Sequence, residues 1–120
     1  MRFEASDEAV HDEPRLLSDL EAKLVAHLLG LASTGNAALL ASLDGARVRE
    51  MDDGGQGSLR FEQPQPLRGF GRQIAEYRFA DSDGVPVSAT LNLDQLEDLY
   101  ELDIFKGDFG RLLTIPTIDE

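Results

Sequence analysis

Glu101 and Asp103 stand two residues apart in Leu99-Tyr100-Glu101-Leu102-Asp103-Ile104-Phe105, a run in which carboxylates alternate with apolar side chains. Paired carboxylates can pass a proton between them as general acid and base, or hold a divalent cation. On a strand, residues two apart share a face, so both groups look the same way. Acid–base work also needs a cleft that shifts their pKa values, and an open sheet face supplies none. The pattern therefore favours a solvated face whose charges meet arginines on neighbouring strands. Phe105 has the same parity. Either the strand bulges there and buries the ring, which the usual burial of Phe favours, or an aromatic anchor stands on the polar face. With Asp108 just beyond, Glu101, Asp103 and Phe105 form the candidate partner-binding set.

The remaining motifs point to turns. Asp52-Asp53-Gly54-Gly55-Gln56-Gly57 has the glycines of a phosphate cradle. However, it leads into strand-like Ser58-Leu59-Arg60-Phe61-Glu62 and has no Lys, whereas a cradle opens a helix. Asp81-Ser82-Asp83-Gly84 resembles the start of a calcium loop, yet Val85-Pro86-Val87 follows where further oxygen ligands belong; its Asp-Gly pair suits a hairpin. There is no Cys, no Gly-x-Ser-x-Gly elbow and no pair of histidines at metal spacing. His11 lies in the N-terminal tail and His27 beside a leucine stripe. No catalytic residue, metal ligand or cofactor is assigned.

The 120 residues suit one domain, and 42% hydrophobic content suffices for its core. Against 23 acids stand 11 Lys and Arg, for a net charge of −12. Nucleic acids and anionic membranes are disfavoured, since both are held by Lys and Arg; a basic protein partner is permitted. No apolar run is long enough to span a bilayer, and the acidic opening lacks the apolar core of a secretory signal, so a cytoplasmic setting is expected. Acids concentrate at the two ends, while Arg47, Arg49, Arg60, Arg68, Arg72 and Arg78 occupy the middle. Pairing between these arginines and the acidic last strand follows as an expectation.

These residues need elements to carry them. Residues 1–14 read as a flexible acidic tail, 15–116 as a single α+β domain and 117–120 as a second tail. Ser18 and Glu21 form a capping box for a helix whose Leu17, Leu20, Leu24, Leu28 and Leu31, with Val25, make one apolar stripe; Gly30 and Ser33-Thr34-Gly35-Asn36 end it. A short helix spans 37–43. Strands are expected at 47–51, 58–62, 73–80, 85–93 and 99–105, with Gln63-Pro64-Gln65-Pro66 breaking the sheet. The outcome is helices packed on one face of a mostly antiparallel meander of about five strands. Tyr100, Leu102 and Ile104 are expected to face inward, Lys106 to Arg111 to turn away, and Leu112, Leu113 and Ile115 to close the core.

Asp52–Phe61 and Leu99–Phe109 resemble the signature segments of a family of small bacterial domains of unknown function. Arg15-Leu16-Leu17-Ser18 and Asp81–Val87 also fit. The family pattern has Trp where Phe105 stands. The resemblance spans about Arg15 to Pro116 and implies no activity or catalytic residues. Similar small acidic domains serve as toxin-immunity or partner-binding proteins. The expected function is a non-enzymatic binder of a basic protein, an immunity-like inhibitor among the options. The alternatives are a small carboxylate- or metal-dependent enzyme, which needs Glu101, Asp103 or Asp108 to converge with Asp52, Asp53 or His27, and a homo-oligomeric module, a homodimer through an exposed edge strand.

Overall fold

A computed structural model describes residues 13–32, 37–62 and 69–117. The expected acidic tail at 1–14 (but for Glu13 and Pro14), most of the tail at 117–120, the loop at 33–36 and the proline break at 63–66 lie outside the described residues. The protein is α+β, with two helices and one six-stranded sheet that is antiparallel throughout.

Ser18 and Glu21 cap α1 (Asp19–Leu31) as a reciprocal box: the Ser18 hydroxyl accepts from the Glu21 N–H at 3.1 Å, and Glu21 Oε1 from the Ser18 N–H at 2.9 Å. The buried stripe of α1 is Glu21, Leu24, Val25, Leu28 and Leu29, which recur at three- and four-residue steps. Leu20 and Leu31 fall outside that arc and are exposed. Gly30 does not end the helix, which runs to Leu31 with Ala32 as its C-cap. The second helix, α2 (Ala37–Ser42), buries none of its side chains fully.

The strands are β1 (Arg15–Leu16), β2 (Arg47–Glu50), β3 (Leu59–Phe61), β4 (Phe70–Ala80), β5 (Pro86–Asp94) and β6 (Leu99–Lys106), in the spatial order β1-β2-β3-β6-β5-β4. This is a meander with one displacement. The chain leaves β3, starts again at the far edge with β4, and returns so that β6 closes the gap beside β3. The sixth strand is β1, two residues paired with Arg47 and Val48, too short to show a period in the sequence.

The face of the sheet under α1 carries Val48, Leu59, Phe61, Val87, Ala89, Leu91, Leu102 and Ile104, all buried. Full burial of one Leu contributes about 2 kcal/mol. Ala75, Tyr77 and Phe79 on β4 are half-buried and pack against the same core, with the Tyr77 ring edge-on to His27 at 4.7 Å. Leu112 and Ile115 close one end of that core as expected, while Leu113 stays 56% exposed.

Candidate functional site

The outer face of the sheet is built in cross-strand rows. Arg60 pairs with Glu101 and Glu101 with Asn92; Asp103 pairs with Thr90, and Thr90 with Glu76; Phe105 pairs with Ser88, and Ser88 with Arg78. The outward set expected from period two is therefore assembled as a surface. Glu101 is engaged, taking a bond from Arg60 at 3.1 Å and one from Asn92 at 3.2 Å. Among the described residues this is the pair that joins a mid-chain arginine to the last strand. Arg72, Arg78 and Arg49 pair instead with Glu97, Glu76 and Glu62.

Tyr100 does not face inward. Between Asn92↔Glu101 and Leu93↔Leu99 the register slips by one residue, so β6 bulges at Tyr100. Leu99 takes the buried place instead, and the Arg60 guanidinium lies over the Tyr100 ring at 4.6 Å from its centroid. The irregularity favoured at Phe105 lies at the opposite end of the strand. Without a bulge of its own, Phe105 keeps its outward parity and is 47% exposed. Its ring meets Phe109 edge-on at 5.2 Å, and Phe109 is 71% exposed on a turn where its φ is +64°. Beside them lies a groove of about 390 Å³ lined by Glu76, Arg78, Pro86, Val87, Ser88 and Phe105. Phe109 was not among the expected site residues; its signal was an aromatic inside a Gly-Asp-Phe-Gly turn, where no neighbour can bury it.

Asp103 lies on the outer face with its carboxyl set back against Ser58, whose hydroxyl is 3.3 Å away. Desolvation, with the charges of Glu101 and Asp53 nearby, pushes this carboxyl above the ordinary Asp value. Asp53 binds the N–H groups of Gln56 and Ser58, so two carboxylates of the enzyme alternative approach one another through Ser58. Glu101 adds its charge to theirs, but His27 and Asp108 do not join them. His27 is on the opposite face against Tyr77, and Asp108 accepts from the Gly110 N–H at 2.8 Å to close its own turn. No group of three potential ligands that could hold a metal ion occurs among the described residues.

The glycine loop is a turn, as its surroundings imply. Gly54, Gly55 and Gly57 all have positive φ. A side chain at Gly57 would also run into Leu112, and the Leu112 N–H donates to the Gly55 carbonyl at 2.9 Å. The loop is a bed for the C-terminal segment. The cavity of about 550 Å³ beside it contains Arg15, Glu21 and Glu50, which are already bonded to one another: Arg15 bonds Glu21 at 2.8 and 2.9 Å and Glu50 at 3.2 and 3.3 Å.

The same segment is held from its other side by a buried cluster absent from the sequence-based expectations. Lys106 does not turn away; it faces inward and is 2% exposed. Its Nζ donates to Asp81 Oδ2 at 2.9 Å, Asp83 Oδ2 at 2.8 Å and the Arg111 carbonyl at 2.9 Å. Asp81 also accepts from the N–H groups of Ser82, Leu113 and Thr114 at 2.7, 2.8 and 3.0 Å. Burial opposes ionisation of Asp81, but the Leu113 N–H, Lys106 and the other donors together hold its carboxyl far below the ordinary range. The Asp-rich hairpin turn is thus also an anchor.

Residues 14–116 match the model of a family described as Domain of unknown function (DUF6984). The match spans most of the chain, and the chain belongs to that family, as the resemblance implied. No curated protein and no solved structure matches it.

Proposed function

We propose that this member of the DUF6984 family is a non-enzymatic binding module that docks a basic protein on the outer face of its sheet. The observation that carries the reading is the exposed pair Phe105 and Phe109 beside an open groove. Interfaces centre on desolvated aromatics ringed by polar groups. Here the surrounding polar groups are Glu76, Asp103 and Asp108, with Arg78 paired to Glu76, on a chain of net charge −12. That field attracts a cationic partner and speeds its encounter at low salt. A partner residue seated on the two rings would bury apolar area that the monomer leaves in water. A surface of this kind also suits an immunity-like inhibitor, which acts by covering a basic protein.

The experiment places a photo-crosslinking phenylalanine analogue at position 105, with a control at exposed Leu40 on α2. The expected result is a single adduct specific to position 105, formed with a protein of basic isoelectric point. That protein should fail to bind a Phe105→Ser, Phe109→Ser double variant. Equal adducts at both positions, or undiminished binding by the double variant, contradicts the reading.

A further inference from the structure

We propose that two copies of this chain pair through β4 across a two-fold axis at Tyr77, continuing the sheet from one copy into the other. The two edges of the sheet differ sharply. One is β1, two residues long; the other is β4, eleven residues long. Among the described residues β4 is paired only with β5. Long edge strands are ordinarily blunted by Pro, charge, bulges or cover, and on β4 the bulges fall before Ala75 while the charges beyond it, Glu76 and Arg78, are of opposite sign. None of the eleven residues from Phe70 to Ala80 is Pro or Lys. Register slips between Phe70 and Arg72 and between Gln73 and Ala75 leave Ala75–Ala80 as the regular stretch.

Within that stretch, side-chain chemistry selects one centre. Pairing about a two-fold axis normal to the sheet sets residues of equal parity opposite each other. Centred on Glu76 or on Arg78, it opposes like charges; centred on Phe79, it sets Arg78 against Ala80 and the Tyr77 ring against Asp81, so no charge is matched. Centred on Tyr77, it sets Glu76 against Arg78 of the second copy, and Arg78 against Glu76, on the outer face. On the inner face it sets Ala75 against Phe79 and Tyr77 against itself. Glu76 and Arg78 are exposed, with the Arg78 side chain 80% accessible; they pair with each other at 3.1 Å in one chain, and a second copy would join two such pairs into one alternating cluster. Tyr77 and Phe79, stacked at 5.9 Å, are half-covered although they continue the core. A second copy would bury that row and satisfy the strand backbone together. The occupant is fixed by this self-complementarity: any other strand would have to reproduce the same alternation in the same register.

Light scattering during gel filtration of the full chain tests it. The expected mass is twice the 13.2 kDa of one chain. Arg78→Glu, which opposes Glu76 with Glu, is expected to weaken the dimer about tenfold or more. The swap Glu76→Arg, Arg78→Glu restores the opposition and is expected to recover the dimer. The chain has no cysteine, so Tyr77→Cys is expected to join two copies through a short bis-maleimide, while Leu40→Cys is not. A monomeric wild type, an Arg78→Glu variant that keeps the dimer mass, a swap that stays monomeric, or cross-linking equal at 77 and 40 overturns the proposal. These readings need no partner, so they stand or fall apart from the docking function.

Discussion

Adjacent residues at the end of β6 have opposite fates. Lys106, a cation, is buried at 2% exposure; Phe105, an aromatic ring, stands 47% exposed on the other face. Usual hydrophobic patterning is reversed at both positions. The inner position accepts a charge because Asp81, Asp83 and the Arg111 carbonyl surround it with acceptors. The outer position leaves half of a ring in water, because the edge of Phe109 and the floor of an open groove cover it only in part. Charge at the first site holds the molecule together, and apolar surface at the second is left for something else. Buried polar groups and exposed rings are the informative departures; here one braces the fold and the other is the surface on which the proposed docking rests.

The comparison breaks first at Asp81. Asp81→Ala leaves Lys106 without its buried counter-ion and the Leu113 and Thr114 N–H groups without an acceptor. A loss of about 3 kcal/mol in urea denaturation is expected, with faster proteolysis at Arg111. A loss within about 0.5 kcal/mol would show that the buried cluster does not hold the segment.

Acid provides a graded version of the same break. The Asp81 carboxyl titrates lower in the fold than in the unfolded chain. Its contribution is therefore present above the unfolded pKa of about 4 and is lost as pH falls further. Thermal melts should show stability falling steeply below about pH 4, with a shallower fall in Asp81→Asn. Asp103 has the opposite sign. Its carboxyl titrates higher in the fold, so its contribution favours the fold at low pH and is lost as pH rises.

On the outer side, Phe105→Ser with Phe109→Ser is expected to change unfolding free energy by less than about 1 kcal/mol, since neither ring is part of the core. A larger loss would make the rings structural and remove the contrast. The smallest effect belongs to Asp103→Asn, a gain below about 0.5 kcal/mol at neutral pH that vanishes in acid.

Much of this contrast follows from short-range pattern. The capping box at Ser18, the alternation of Val87, Ala89, Leu91 and Leu93, and the Asp-Gly turn at 83–84 are local, and each takes the form its residues dictate. Parity alone places Glu101 and Asp103 on one outer face; it puts Phe105 there too, but the usual burial of Phe favours a bulge that would hide the ring, and the ring is exposed. Less legible were features that depend on distant chain. The insertion of β6 between β3 and β5 is a long-range choice among antiparallel orders. The bulge at Tyr100 replaces one inward residue by its neighbour, and no Gly or Pro marks it. Lys106 shares the inward parity of Leu102 and Ile104, but the strand is expected to end at Phe105 with Lys106 turning away, whereas β6 runs through Lys106. Its counter-ions lie more than twenty residues away, in a turn whose Asp residues are explained locally by the hairpin.

The most direct measurement is calorimetric titration of the protein cross-linked at position 105 with wild type and with Phe105→Ser, Phe109→Ser, beside thermal melts of both chains. Loss of two anchor rings is expected to weaken binding about thirtyfold or more while the melting temperature moves by only a few degrees. Equal affinities, or a binding loss matched by a collapse in stability, would contradict the assignment of the outer aromatics to partner recognition.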